Sequence, residues 1–124
     1  MTKRVLDVGQ CGPDHAAIRS YVERNFGAEV RQTHRAGDTM AELRKCKYDL
    51  VLINRKLDSD YSDGTEILRS IKADAALASI PVMIVSNHAE AQDNAVALGA
   101  VYGFGKAEIG SSDVVSRLEP YLRG

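Results

Sequence analysis

The sequence predicts a single α/β domain with a doubly wound parallel sheet, and two observations lead to that prediction. Apolar runs that suit strands alternate with helical patterns five times along the chain. Two of the runs, Leu50 to Ile53 and Val82 to Val85, are continuously apolar. Such runs are typical of strands that helices cover on both faces. Because the connections are short and a parallel pairing needs right-handed crossovers, we expect helices above and below the sheet.

The first half of the chain is predicted to supply three strands and two helices. Arg4 to Val8 forms a short strand that contains one acid, and Pro13 stands in the first turn of a helix that runs from Asp14 to Phe26. The more polar strand Glu29 to Thr33 suits a sheet edge. Asp38 is the predicted N-cap of a second helix, which extends to Cys46 and leads into the central strand at Leu50.

The second half is predicted to complete the alternation. A third helix spans Gly64 to Lys72 and precedes the second buried strand. An alanine-rich helix covers Glu90 to Leu98, and the aromatic, glycine-containing segment Ala100 to Gly105 is the predicted fifth strand. Ser111 to Asp113 caps a last helix, whose apolar stripe reaches Leu122.

Composition limits the function classes. The chain has 124 residues, 44% of them hydrophobic, so residues 1–124 are expected to form one domain with a core of its own. Sixteen basic and 17 acidic residues give a net charge of -1, so neither nucleic acid nor a membrane surface is an expected partner. Cys11 and Cys46 lack metal-type or disulfide-framework spacing, and no stretch has the length of a membrane span. These features predict a cytoplasmic protein.

Polar residues follow the predicted strands at the edge where parallel sheets bind ligands. Asn54 and Ser86 follow the two buried strands, and Lys106 follows the predicted fifth strand. With the amino ends of the helices, Ser86 and Lys106 make this crevice a candidate site for a small anion or metabolite.

The same residues carry a resemblance to a family. The runs Tyr48 to Ile53 and Ile80 to Ser86, and the spacing from Leu98 to Lys106, resemble a receiver domain of the two-component response regulators. The resemblance runs from about Lys3 to Leu122. It implies a flavodoxin-like (βα)5 fold with strand order 2-1-3-4-5 and a role in bacterial signal transduction or a phosphorelay. It also implies that Ser86 and Lys106 are the retained hydroxyl and lysine that contact a phosphoryl group.

The departures from the family pattern concern its chemistry. Asn54 stands where the resemblance implies a phosphoacceptor aspartate, and Gly9, Gln10 and Cys11 cover the position of the acid pair. An amide lacks the anionic oxygen that attacks phosphorus, and magnesium prefers charged oxygens. We therefore expect an atypical pseudo-receiver with no catalytic residue, no enzymatic activity and neither magnesium nor another metal.

Further departures affect the relay that reports phosphorylation. The loop between Asn54 and Gly64 is longer than is usual in the family, Ala107 replaces the proline that usually follows the lysine, and Gly103 takes the place of an aromatic residue. The relay is therefore expected to be missing together with the phosphoacceptor.

Several acids and cations near the predicted crevice leave alternatives open. Lys106 is expected either to pair with Asp7, Asp58 or Asp60 or to point into solvent. Asp7 is either part of an acid site or a polar strand residue with a local partner. Cys11 and His15 have helical i, i+4 spacing, but no further metal ligand lies in register with them.

The expected function is phosphorylation-independent binding of another protein, such as a histidine kinase pathway component or an effector. The surface formed by the fourth helix, fifth strand and fifth helix, with Tyr102 and Phe104, is the expected partner surface, although both aromatics also suit a core or edge position. The alternatives are a residual phosphorelay receiver that uses Asp7 or Asp58, and a small-molecule sensor that uses the crevice.

Overall fold

The computed structural model describes residues 2–123 and contains four strands and five α-helices. A single 3-10 turn, Lys106–Glu108, precedes the last helix. The elements, in chain order, are β1 (Arg4–Val8), α1 (Gly12–Phe26), β2 (Glu29–Thr33), α2 (Ala36–Lys45), β3 (Leu50–Asn54), α3 (Thr65–Ala73), β4 (Val82–Val85), α4 (Ala89–Ala97) and α5 (Ser112–Leu122).

All four strands are parallel and lie in the order β2-β1-β3-β4, as the sequence predicts for these strands. Alternate strand residues point to opposite faces of the sheet, and each face has its own apolar core. Side chains of α1 and α5 pack on one face, which includes Leu50 and Leu52, and side chains of α2, α3 and α4 pack on the other, which includes Val51 and Ile53. Within residues 2–123, no helix is both long and apolar enough to cross a membrane.

The prediction of a fifth strand over residues 100–105 is wrong. The segment 100–105 runs beside β4, but it forms only one isolated bridge, between Val85 and Phe104. Midway along it, the backbone N–H of Gly103 donates to Gln92 Oε1 at 2.9 Å, while Gln92 Nε2 donates to the Ile84 carbonyl at 2.9 Å. The amide of Gln92 therefore lies between the two backbones and replaces the ladder bond that a regular strand would make.

The start of α2 also differs from the prediction. Arg35, not Asp38, is the N-cap, and the helix begins at Ala36. Asp38 instead reaches back from the first turn and accepts the backbone N–H groups of His34, at 2.9 Å, and Arg35, at 2.8 Å. Its carboxylate still satisfies backbone donors at the amino end of the helix, from a position three residues further along the chain.

Candidate functional site

The carboxyl edge of the sheet is held together around the backbone of Gly9. Asn54, at the end of β3, donates from Nδ2 to the Gly9 carbonyl at 3.1 Å, and the Asp58 N–H donates to the same oxygen at 2.9 Å. The Gly9 N–H donates to the Thr33 carbonyl at 2.9 Å. The amide of Asn54 thus acts as a donor in a link between β3 and the end of β1. An ionised carboxylate in its place could not donate.

Leu57 fills the space beside Gly9. Gly9 has a φ of +76°, and a Cβ atom built on it would overlap Leu57 Cδ2 and lie 3.3 Å from Leu57 Cα. The Leu57 side chain is buried in the core on the α3 face of the sheet. A side chain at position 9, including a carboxylate, would therefore need both a left-handed backbone and displacement of the loop after β3.

The loop after β3, residues 55–63, has regular contacts. Lys56 and Asp63 form an antiparallel bridge, and the Leu57 N–H donates to the Ser62 carbonyl at 2.9 Å. Tyr61, at its turn, has a φ of 61° and is 73% exposed. The loop is thus a small closed turn that presents Leu57 inward and Tyr61 outward.

Asp7 lies inside the domain and has a local partner, as one of its two interpretations expects. It is fully buried, and its Oδ2 lies 2.7 Å from His15 Nδ1. Burial raises the pKa of the Asp7 carboxyl to about 6, although the hydrogen bond with His15 opposes this shift. Among the described residues, Asp7 Oδ1 and both polar atoms of the buried Gln10 side chain lack hydrogen-bond partners. Across residues 2–123, no three His, Cys, Asp or Glu side chains form a group that could hold a metal ion.

Lys106 pairs with an acid that sequence reasoning missed. Its Nζ lies 2.7 Å from Asp14 Oδ2, so the expected pairing with Asp7, Asp58 or Asp60 is wrong. This hydrogen bond lowers the pKa of the Asp14 carboxyl. The sequence does indicate that Asp14, an acid in the first turn of α1, would interact favourably with the helix dipole. Its pairing with Lys106 depends on the packing of α1 beside the chain after residue 105, which the sequence does not reveal.

The structure brings Asn54, Ser86 and Lys106 to one crevice, as predicted. The crevice has a volume of about 250 Å³. Two further cations, Arg55 and Lys56, which sequence reasoning did not single out, also line it. The complete lining consists of Asn54, Arg55, Lys56, Val85, Ser86, Asn87, His88 and Lys106. Gly9, Gln10 and Cys11 are not part of this lining.

Only one of the two aromatics of the expected partner surface is exposed. Tyr102 is 47% exposed, and the guanidinium carbon of Arg117 in α5 lies 5.4 Å from the centre of its ring. Val96 in α4 is a second exposed apolar side chain. Phe104 is buried in the core shared with α1 and α5, so its expected place on a partner surface is wrong. The bridge to Val85 turns Phe104 towards that core.

Comparison with known proteins agrees with the fold. A signal receiver domain of a DNA-binding response regulator protein (merR) from Colwellia psychrerythraea 34H is 22% identical, with a TM-score of 0.81, over 98% of this chain and 99% of that chain. A sensor protein from Polaromonas sp. JS666 is 16% identical, with a TM-score of 0.83, over 97% of this chain and 95% of that chain. NtrX from Brucella abortus is 23% identical, with a TM-score of 0.80, over 98% of this chain and 27% of that chain. No curated protein matches the sequence.

The sequence itself matches a family model, described as the response regulator receiver domain, over residues 14–108. The match begins after Gly9, Gln10 and Cys11 and includes Asn54, Ser86 and Lys106. Because it covers most of the chain and the solved structures share the fold, this protein belongs to the response regulator receiver domain family.

Proposed function

We propose that this receiver domain is not phosphorylated at the usual strand-end position and acts by binding another protein. The observation that carries the proposal is the arrangement around Gly9. Asn54 supplies an amide donor at the end of β3, and Leu57 occupies the space that a side chain at position 9 would need. The nucleophile is therefore replaced by an amide, and the place of a neighbouring acid is filled by an apolar side chain.

The residues at this edge do not suit magnesium. Magnesium prefers charged oxygen ligands, whereas positions 9, 10 and 54 are Gly, Gln and Asn. Two acids near the start of α1 are already paired, since Asp7 is buried against His15 and Asp14 is bound to Lys106. We accordingly expect no magnesium-dependent phosphotransfer and no enzymatic activity.

The rival phosphorelay function would need another acid to serve as the phosphoacceptor. Asp7 is fully buried, so a phosphodonor could reach it only after local opening. Asp58 is exposed, and its backbone N–H is fixed on Gly9, which makes it the more accessible rival. In the alternative function, a small-molecule sensor, the ligand would bind in the crevice that Arg55 and Lys56 line.

The proposed partner surface consists of Val96, Tyr102 and Arg117, which lie on α4, the segment after it and α5. An exposed aromatic ring with a guanidinium beside it is the kind of pair that is enriched at the centres of protein interfaces. A histidine kinase pathway component or an effector in the cytoplasm is the expected class of partner. The balanced net charge of -1 offers no general attraction for nucleic acid.

Phosphorylation is tested with a small-molecule phosphodonor and magnesium, followed by intact-mass measurement. The wild-type chain and an Asn54→Asp variant are expected to gain no phosphoryl group, because restoring the nucleophile alone leaves positions 9 and 10 without acids. A receiver domain with all three acids is the positive control. Labelling of the wild type that disappears in Asp58→Asn or Asp7→Asn would support the phosphorelay function, and efficient labelling of Asn54→Asp would contradict the account of the metal site.

Partner binding is tested by affinity capture from the source cells. Tyr102→Ala is expected to lose a partner that the wild type retains. Tyr61→Ala is the matched control, because Tyr61 is also an exposed tyrosine but lies on the loop after β3. Equal capture by the two variants would refute the assignment of the surface.

A further inference from the structure

Another cavity, which we call the amino-edge cavity, lies at the opposite edge of the sheet from Asn54. The residues that line it come from the end of α2, from residues 46–49, which precede β3, and from residues 76–81, which precede β4. Asn54, Ser86 and Lys106 do not line it. Its volume is about 370 Å³, which lies at the lower end of the roughly 300–1,000 Å³ found for pockets that bind small molecules.

Most of the side chains that line this cavity are apolar. Leu43, Tyr48 and Leu77 belong to the buried core on this face of the sheet, and Ile80 packs against that core from a half-buried position. The hydroxyl of Tyr48 donates to the Glu42 carboxylate, so its ring is the part of the side chain that remains for a ligand. An apolar group that enters the cavity would therefore leave water and contact the edge of the core, as in most small-molecule sites.

Hydrogen bonds hold the walls of the amino-edge cavity in place. Lys72 Nζ donates to the carbonyls of Ala78, at 2.9 Å, and Ile80, at 2.8 Å, and so fixes the connection before β4. Arg44 Nη2 lies 3.2 Å from Asp74 Oδ2 and links the end of α2 to the same connection. The cavity is therefore formed without a ligand, and binding does not have to offset the entropy cost of ordering a loop.

The charges at the mouth of the cavity favour an anion. Lys47 and Asp49 line both this cavity and an adjoining one, where Lys3 and Arg4 are further lining residues. Asp49 already accepts the backbone N–H of Arg4 at 2.9 Å, and the Arg4 guanidinium is paired with Glu29. Within residues 2–123, neither Lys3 nor Lys47 is part of an ion pair. Two unpaired ammonium groups therefore lie on this side of the apolar lining.

We propose that the amino-edge cavity binds a small amphiphilic anion, an apolar chain or ring that carries one carboxylate. The apolar part lies against Tyr48, Leu77 and Ile80. The carboxylate lies at the mouth, where Lys47 supplies a positive charge and the exposed Ser79 supplies a hydroxyl donor. The inference goes beyond the proposed function and does not depend on it, because this cavity is separate from the phosphoacceptor position and from the proposed partner surface.

The test is a titration of the ¹⁵N-labelled chain with octanoate and, separately, with octylamine, at neutral pH and a fixed ionic strength. The two probes share an apolar chain and differ in the charge of the head group. Saturable amide shifts are expected at residues 46–49 and 76–80, and octanoate should bind at least about threefold more tightly than octylamine. Equal or tighter binding of octylamine would overturn the assignment of an anion. Shifts that do not saturate, or that spread over the whole surface, would overturn the site.

Two pairs of variants make the assignment specific. Ala76→Phe places a ring at the lining and should raise the dissociation constant of octanoate about tenfold, whereas Ala75→Phe, at an exposed position outside the lining, should leave it unchanged. Lys47→Gln should raise the constant about threefold, and its control is Lys45→Gln, since Lys45 is exposed but does not line the cavity. Lys47→Gln changes only an exposed side chain, so it keeps the test decisive if Ala76→Phe fails to fold. Equal constants within either pair would overturn the proposal.

Discussion

Replacement of Gly9 by alanine measures how tightly Leu57 packs against position 9, where an acid is proposed to be excluded. Two costs are expected. A left-handed backbone costs a residue with a Cβ about 1–2 kcal/mol, and overpacking against a filled core costs about 1–3 kcal/mol. Gly9 has a φ of +76° and its Cβ would meet Leu57, so Gly9→Ala should lower the free energy of unfolding by about 2–5 kcal/mol.

Gly27 separates the two costs. It ends α1 with a φ of +64°, but a Cβ built on it has no heavy atom within 4 Å. Gly27→Ala should therefore show only the backbone cost, about 1–2 kcal/mol. Urea unfolding followed by far-ultraviolet circular dichroism is the suitable assay, because the chain contains no tryptophan for fluorescence. The difference between the two variants is the contribution of the contact with Leu57.

A double-mutant cycle identifies the contact directly. In a Leu57→Ala background, the additional cost of Gly9→Ala should fall to the value measured at Gly27, since the overlapping side chain is gone. If Gly9→Ala were no more destabilising than Gly27→Ala in the wild-type background, the space beside Gly9 would be open. The proposed exclusion of an acid from that position would then be refuted.

Two further predictions concern buried polar groups. Because burial raises the pKa of Asp7 from 3.8 to about 6, its stabilising contribution is complete below pH 4 and is lost as the pH rises through 6. Relative to Asp7→Asn, the wild type should therefore lose up to about 3 kcal/mol of unfolding free energy between pH 4 and pH 8, measured by urea unfolding. An equal pH dependence of the two proteins would contradict the raised pKa of the buried Asp7 carboxyl. Gln92→Met keeps the side-chain volume but removes the hydrogen bonds to Ile84 and Gly103. It should lower the free energy of unfolding by about 1–3 kcal/mol and speed hydrogen exchange of the Gly103 amide. Unchanged exchange would mean that another group binds this N–H.

The sequence by itself determined most of the architecture. Continuous apolar runs at Leu50 to Ile53 and Val82 to Val85 correspond to strands buried on both faces, and the helical stripes correspond to α1 through α5. It also placed Asn54, Ser86 and Lys106 at one edge, because the carboxyl ends of parallel strands meet there. Residue identity alone also led to the prediction that Asn54 replaces the phosphoacceptor and that Gly9, Gln10 and Cys11 replace the acid pair.

Only the tertiary structure decided which groups meet at that edge. Asp14 rather than Asp58 pairs with Lys106, Leu57 fills the space beside Gly9, and a glutamine of α4 takes the place of a strand ladder bond at Gly103. The physical reason is that periodicity along the chain reports which face of an element is buried. It does not report the distance between side chains that packing brings together from separate elements.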